Sequence, residues 1–463
     1  MPLVLRSGSA SLWGYYLRSW RYDGETDNRV AEALLRESWL PQQWKKWEEE
    51  KLPSFLDRAA RGVPYYRNYW QNRRLKGDSA SWEKLENWPI LTKKEVLRDP
   101  KAFVCERAWR SPLYLEHTGG TTGAPLLLWQ GGATLKQWYA LFEARWRGWY
   151  GVTRHDRWAI IGGQRIVSEK ARTPPFWIWN NGLKQLYISA YHLFPEHTEA
   201  CIQAIVSSKA QYLLGYTSAI YFFSKEILLR KLPAPKLKVV ITNAEPLTLE
   251  QRQVIERAFG CPVRETYGMA EMVAAAGECE HGSLHLWPEA GHVEVIENGQ
   301  AVLPGHAGDL ICTGLLNEEM PLIRYEVGDR AALVPDTERP CLCGRLLPRL
   351  LSMEGRKHDI LTLKDGRKVW YFNPVFSGLP IREAQVIQEN EDCFRILLVC
   401  DRPLVPDEEK EIKGRMKDLV GEISVIIEYT AFISREKNGK FRSVISRVQT
   451  RGQKFQGEYD EVR

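Results

Sequence analysis

The sequence predicts an α/β protein, with parallel-sheet layers in a large N-terminal part and a small α+β domain at the C-terminus. Three observations carry this. Residues 199–209, 218–232 and 248–259 have helical patterning and alternate with strand-like runs at 211–214 and 236–241, the order that produces a parallel sheet covered by helices. After Gly355 the texture changes to strand-like 359–363, a Lys364-Asp365-Gly366 hairpin turn, strand-like 394–399 and helical 407–419, as in a separate α+β unit. The length of 463 residues allows roughly three domain-sized units and a core that needs no disulfide staples.

The remaining elements are read in chain order. The first hundred residues are helical with loop punctuation: 28–51 is amphipathic and charged, and 78–88 is polar and loop-like. A Gly/Thr loop follows Ser111, then a helix over 133–150 and a short buried strand over 158–161. Past Gly291 the chain turns to short strands, as at 292–297 and 309–313. The expected organisation is an N-terminal helical, aromatic-rich region (1–110) packed on the large domain, the core of that domain (111–354), and a C-terminal domain (355–463). Sixteen of the 18 tryptophans lie between Trp13 and Trp179, where large aromatic rings serve as core filler or partner surface.

Composition excludes several classes. The 64 basic and 58 acidic residues give a net charge of +6, far from the dense basic stripe of a dedicated nucleic-acid binder. The last 30 residues hold eight basic and four acidic side chains, so most of the excess is a property of the tail around Lys440. Nine scattered cysteines do not frame a secreted disulfide scaffold, and a reduced, cytoplasmic protein is expected. No run of about 18 apolar residues is present, so no membrane span is expected.

The segment His117-Thr118-Gly119-Gly120-Thr121-Thr122-Gly123-Ala124-Pro125 reads as a phosphate cradle. Three glycines let successive N–H groups face an anion, and three threonine hydroxyls add donors. It lacks the Gly-Lys-Ser/Thr ending of a Walker loop, and by itself the composition also suits an ordinary flexible loop. Glu265-Thr266-Tyr267-Gly268-Met269-Ala270-Glu271 is expected just after a strand ending at Val263. It offers a ring face for a purine and a carboxylate for Mg²⁺ against a polyphosphate; a core tyrosine and a solvated glutamate would read the same.

In their order these motifs resemble the adenylate-forming superfamily, and within it the phenylacetate-CoA ligases and CapK-like capsule-biosynthesis proteins. To the phosphate loop and the Tyr-Gly-x-x-Glu signature are added Asn243-Ala244-Glu245-Pro246 on the adenine side and Arg324-Tyr325-Glu326-Val327-Gly328-Asp329 with a ribose-binding aspartate. Gly355-Arg356 at an interdomain hinge and Asn438-Gly439-Lys440-Phe441-Arg442 with a C-terminal lysine complete the set. The six motifs span about 70% of the chain. The resemblance implies a large adenylate-forming domain and a mobile C-terminal lid. It also implies ATP and Mg²⁺, a small organic acid as substrate, and coenzyme A as acceptor. Lys440 would bridge the attacking carboxylate and the α-phosphate, Glu271 would hold Mg²⁺, and Asp329 would accept both ribose hydroxyls. Arg356 and Arg367 would contact phosphate or ribose. At the position where relatives carry an acidic swivel residue stands His358, followed by Asp359. The stretch from Asp359 through Asn373-Pro374-Val375-Phe376 is closer to the CapK-like branch, which implies a place in polysaccharide biosynthesis.

Cys279 and His285, with Cys341-Leu342-Cys343 before Gly344, supply three thiolates and one imidazole, a set that closes a tetrahedral zinc site; several phenylacetate-ligase-like proteins carry a similar set. Structural Zn²⁺ is therefore expected, with His281 as the alternative ligand. The other six cysteines are read as buried small hydrophobes. Small residues at Gly162-Gly163-Gln164, Gly215-Tyr216-Thr217-Ser218 and 270–276 fall where relatives line an acyl pocket, and suit close packing equally. Two further functions share these residues: an adenylyltransferase acting on a hydroxyl, as in deazaflavin-cofactor synthetases, and a non-catalytic zinc-containing scaffold. A homodimer is compatible with the sequence.

Overall fold

The computed structural model describes residues 3–118, 125–168, 170–335, 338–356, 361–363, 367–369, 372–376, 378–436 and 439–448. Gly119 to Gly123 of the phosphate loop, His358, Asp359 and the Lys364-Asp365-Gly366 turn lie outside these residues. The chain divides into two compact units, Met1–Met353 with Lys437–Lys440, and Glu354–Glu436 with Phe441–Arg463.

The first unit begins with α1 (Leu3–Arg21), α2 (Thr26–Leu35), α3 (Pro41–Gly62), α4 (Pro64–Leu75) and α5 (Lys93–Arg98). The helix expected over 28–51 is broken: α2 ends at Leu35, a 3₁₀ turn covers Arg36–Ser38, and α3 starts at Pro41. Proline lacks the N–H that a helix interior needs but is suited to a first turn, so Pro41 divides what the charge pattern joins. Residues 78–88 are loop apart from the 3₁₀ turn Leu85–Asn87. The hairpin β1 (Tyr114–His117) and β2 (Leu127–Gln130) flanks the phosphate loop. The helix expected over 133–150 is regular only as α6 (Gly132–Leu141); a π turn over Phe142–Arg147 and a 3₁₀ turn over Gly148–Tyr150 follow. The widened turn places Arg145, wholly buried, where both of its amines donate to Glu289 at 2.9 Å and its Nε to Glu37 at 3.3 Å.

The α/β core runs β3 (Trp158–Gly162), β4 (Trp177–Asn180), β5 (Gln185–Ser189), α7 (Thr198–Ser208), β6 (Tyr212–Tyr216), α8 (Thr217–Leu229), β7 (Val239–Asn243), α9 (Leu249–Phe259) and β8 (Val263–Gly268). Then come β9 (Ala275–Glu278), β10 (Leu284–Leu286), β11 (Gly291–Glu297), β12 (Gln300–Ala301), β13 (Gly308–Gly314), β14 (Tyr325–Leu333) and β15 (Arg349–Arg356). These strands form one sheet, in the order β12-β11-β13-β14-β15-β10-β9-β8-β7-β6-β3-β5-β4. From β8 through β5 every pairing is parallel, and β9 on one side and β4 on the other pair antiparallel. The run Val239, Val240, Ile241 is buried on both faces, as a strand covered by helices requires. α9 is delimited as its sequence dictates: Thr248 accepts from the Gln251 N–H at 3.2 Å, and Gly260 closes the helix at φ +63°. The strand expected to end at Val263 instead begins there and carries Glu265 through Gly268.

In the second unit β16 (Leu361–Thr362) pairs with β17 (Lys368–Val369), followed by α10 (Asn373–Phe376). A four-stranded sheet combines β18 (Ile381–Asn390), β19 (Cys393–Cys400), β20 (Ser424–Tyr429) and β21 (Val444–Ser446) in the order β20-β19-β18-β21. Phe394, Ile396 and Leu398 of β19 pack with Ile412 and Met416 of α11 (Pro406–Val420) in its own apolar core.

Candidate active site

In an open α/β sheet, ligands bind beyond the carboxyl ends of the parallel strands. Here those ends present Gly163 after β3, Tyr216 on β6, Asn243 and Ala244 at β7, and Tyr267 on β8. Ala244 takes a left-handed conformation, φ +65°, which a non-glycine residue adopts rarely and typically at a functional site. Its carbonyl oxygen accepts from Lys440 Nζ at 3.2 Å, and that ammonium stands 5.8 Å from the centre of the Tyr216 ring. Gly439 permits this approach: at φ +82°, a side chain there would begin 2.8 Å from Gly163 Cα. Asn243 Oδ1 is buried with no hydrogen-bond partner among the described residues, a state that a native site reserves for a ligand, ion or water.

Two carboxylates face this region from other elements, each contacted by a tyrosine. Tyr267 OH donates to Asp329 Oδ2 at 2.9 Å, and Tyr325 OH donates to Glu271 Oε1 at 3.3 Å. Asp329 and Tyr325 are buried on β14. Several of the other expected contact residues hold the backbone together. Thr266 Oγ1 donates to Thr242 O at 2.8 Å, linking β8 to β7. Glu245 Oε2 accepts from the Ser218 N–H at 2.7 Å, and Glu265 Oε1 from the Leu247 N–H at 3.1 Å, so both brace the turn containing Pro246. Burial pushes the Glu265 carboxyl up to about 7, against the Leu247 N–H and with the Glu278 carboxylate nearby. Arg324 is a structural clamp, paired with Glu294 at 3.0 Å and donating to Trp88 O at 2.8 Å.

At the mouth of the phosphate loop, the Leu126 N–H donates to Thr118 Oγ1 at 2.9 Å and the Thr118 N–H to Leu126 O at 3.1 Å, which closes its base. The Arg356 side chain lies outside the described residues, while Arg367, in the second unit, donates to Leu419 O at 3.2 Å. The small residues near the expected acyl pocket are packing positions. A Cβ on Gly162 would stand 2.3 Å from Tyr187 OH, and one on Gly215 2.4 Å from Ile161 O.

Cys279, His285, Cys341 and Cys343 converge, their ligand atoms all within 4.8 Å of one another; His281 is not among them. Cys279 Sγ lies 3.6 Å from Cys341 Sγ, and Cys343 Sγ 3.4 Å from His285 Nε2. A tetrahedral zinc with bonds of about 2.0–2.3 Å separates its ligand atoms by roughly 3.3–3.8 Å, a range that holds both of these contacts, so the donor set suits that ion in number and chemistry. His285 Nδ1 faces Leu347 O at 3.3 Å, the usual second contact of a metal-binding imidazole. Burial lowers the His285 pKa to about 4, which keeps the ring neutral at pH 7, as a ligand must be. All four positions being protein donors, such an ion would be structural.

A family model described as the CapK C-terminal domain matches residues 361–447. Protein CapK of Staphylococcus aureus is 24% identical over 454 residues, which cover 96% of this chain and 98% of that protein. The chain is similar to CapK along nearly its whole length, and its C-terminal part matches the CapK C-terminal domain. The phenylacetate-coenzyme A ligase of Thermus thermophilus is 25% identical to this CapK-like chain over 344 residues, 68% of the chain and 71% of the ligase. Among solved structures, 2-hydroxyisobutyryl-CoA ligase in the postadenylation state with 2-HIB-AMP shares the fold, with a TM-score of 0.65 at 19% identity, covering 89% of this chain and 91% of that one.

Residues that the motifs do not announce also shape the CapK-like site. Tyr325, within a motif quoted for its aspartate, reaches Glu271, and Tyr191 OH donates to Gly163 O at 3.2 Å beside Gly439. Tyr325 has only its nearness to Gly328 and Asp329 as a sequence signal, and Tyr191 has none.

Proposed function

We propose that this protein is an AMP-forming acid–CoA ligase that adenylates a small, aromatic or short-chain carboxylic acid and transfers the acyl group to coenzyme A. The supporting observation is the gathering at the carboxyl ends of β6, β7 and β8: an orphaned Asn243 oxygen, a strained Ala244 contacted by Lys440, and two tyrosine-contacted carboxylates. Asn243 Oδ1 accepts from the adenine amino group, Asp329 accepts the ribose hydroxyls, and Thr118 with Gly119, Gly120, Thr121, Thr122 and Gly123 holds the phosphates. Glu271 holds Mg²⁺, a single carboxylate being the usual protein share of a site completed by polyphosphate. One oxygen of the substrate carboxylate forms a bond to the α-phosphorus as the bond to pyrophosphate breaks, giving acyl-AMP. Charge builds on the phosphoryl oxygens, so the protein's part is positioning and cation placement, and Lys440 supplies the cation. In the second half-reaction the coenzyme A thiolate sulfur bonds to the acyl carbon and AMP leaves. Structural Zn²⁺ on Cys279, His285, Cys341 and Cys343 clips the antiparallel part of the first unit. A role in polysaccharide biosynthesis follows from the CapK-like resemblance.

ATP–pyrophosphate exchange with a panel of aromatic and short-chain acids tests this. At least one acid should support exchange, and Lys440→Ala should lower it by about 100-fold or more. Nucleotide binding without exchange for any acid would end the ligase reading, and a stable AMP adduct on a hydroxyl acceptor, in place of AMP release, would reassign the second half-reaction.

A further inference from the structure

Helix α1 wears its hydrophobic side outward. Val4, Leu5, Leu12, Trp13, Tyr15 and Tyr16 are 44–80% exposed and occupy one half of the helix circumference at about 100° per residue. Gly8, Ser9 and Ser19 separate them, and that half carries no charged side chain. The rings are already arrayed, with Trp13 and Tyr16 4.9 Å apart and Tyr16 and Trp20 6.3 Å apart.

The inward face carries the buried Leu17 and the half-buried Leu3 and Ala10 beside polar side chains, and hydrogen bonds dock it. Ser7 Oγ accepts from the Trp179 N–H at 3.2 Å, Ser11 Oγ accepts from the Asn181 N–H at 3.0 Å, and Arg6 donates to Ile166 O and Pro175 O at 3.5 Å. Gly14 lies so close to Asn180 that a Cβ would fall 1.8 Å from its Oδ1. A helix on a soluble protein ordinarily turns charged and polar residues outward, whereas α1 turns six large hydrophobic side chains outward, so it is built to be covered on its outer side.

Charge identifies the covering. α1 contains Arg6, Arg18 and Arg21 and no acidic residue. The segment 165–172, whose Ile166 meets Arg6, adds Arg165, Lys170 and Arg172 against one acid, Glu169, and Asp23, just beyond the C-terminal end, is already paired with Arg29 and Lys136. Tryptophan and tyrosine beside aliphatic residues, with cations at both ends, match the headgroup–acyl boundary of a bilayer that carries negative charge. Among the described residues no helix is long and apolar enough to cross a membrane, and hydrogen bonds hold the inward side of α1 to the protein, so the helix would lie in the plane of the surface.

We propose that the outward face of α1 is a peripheral docking surface for an anionic lipid bilayer. Flotation of the full-length protein with phosphatidylcholine vesicles, with and without an equal share of phosphatidylglycerol, tests it. The protein should float with the anionic vesicles and remain behind with the neutral ones, and about 0.5 M salt should release most of it, since the Debye length then falls to a few ångströms. Leu12→Glu with Trp13→Glu should reduce the bound fraction at least about tenfold while pyrophosphate exchange and melting temperature stay unchanged. Arg18→Glu with Arg165→Glu should reduce it through charge alone. Equal binding to neutral vesicles, binding unaffected by either pair of substitutions, or no binding to any vesicle would overturn the proposal. So would light scattering that shows a dimer dissociated by Leu12→Glu together with no vesicle binding, because the covering would then be a second copy of the chain.

Discussion

Glu265→Gln gives the sharpest check on how the nucleotide-side turn is held. Glu265 stands on β8 with the Leu247 N–H donating to its Oε1 at 3.1 Å, and its own N–H donates to the Glu278 carboxylate at 2.6 Å. Burial raises its pKa from 4.5 to about 7, the Leu247 N–H opposing that rise and the Glu278 carboxylate adding to it. A carboxyl whose folded pKa exceeds its unfolded one favours folding while protonated, so its penalty is absent below about pH 4.5 and grows as pH rises to 7. At about 1.4 kcal/mol per tenfold the full shift is worth roughly 3.5 kcal/mol, and because Glu265 keeps some contact with solvent, about 2 kcal/mol is expected. Glutamine keeps the oxygen that accepts from Leu247 and cannot ionise. Melting curves of the nucleotide-free protein at several values between pH 5 and 8.5 read the effect. Wild type and variant should coincide near pH 5, and the variant should melt roughly 4 °C higher near pH 8. Parallel curves across the range would refute the claim that burial dominates at this carboxylate.

Two further outcomes follow from the site. Tyr325→Phe removes the hydroxyl that contacts Glu271 at 3.3 Å within a buried setting; at about 1 kcal/mol for such a bond, the Mg²⁺ concentration for half-maximal exchange should rise roughly fivefold, and an unchanged Mg²⁺ dependence would remove Tyr325 from the positioning of that carboxylate. Protein purified without chelator should contain one zinc per chain. Cys343→Ser should lose most of it and melt several degrees lower, whereas well under one equivalent in the wild type would reject the metal clip.

Chemistry carried by contiguous residues was legible before any coordinates. The Tyr-Gly-x-x-Glu signature and the Asn243-Ala244-Glu245-Pro246 turn stand out locally as motifs, the convergence of Cys279, His285, Cys341 and Cys343 follows from their residue types, and the alternation from 199 to 259 encodes the parallel sheet because each segment has its own period. Pairings across the sheet were not legible: Tyr267 meets Asp329 and Tyr325 meets Glu271 only because β8 and β14 occupy one sheet, at a sequence distance that no spacing rule spans. Local patterning also misplaced boundaries. The charged run at 28–51 conceals the stop at Pro41, and a strand end at Val263 leaves out Glu265, Thr266 and Tyr267, all three of which pair within the sheet.

The tryptophan-rich N-terminal region acquires a specific job from its one buried acid. Glu37 accepts from Arg145 at 3.3 Å, from Trp149 Nε1 at 2.8 Å and from Arg345 at 3.2 Å. Burial raises its pKa even so, with Arg145 opposing. Arg345 lies two residues beyond Cys343 and rests 4.4 Å over the Trp149 ring, whose edge meets His285 at 5.9 Å. The turn after α2, the widened turn after α6 and the Cys-x-Cys loop therefore share one carboxylate. Removing a partner from such a buried set costs about 3–5 kcal/mol, so the three segments are energetically coupled, and residues near the start of the chain are part of the same folding unit as the Cys279–His285–Cys341–Cys343 cluster and the strands that carry the candidate active site.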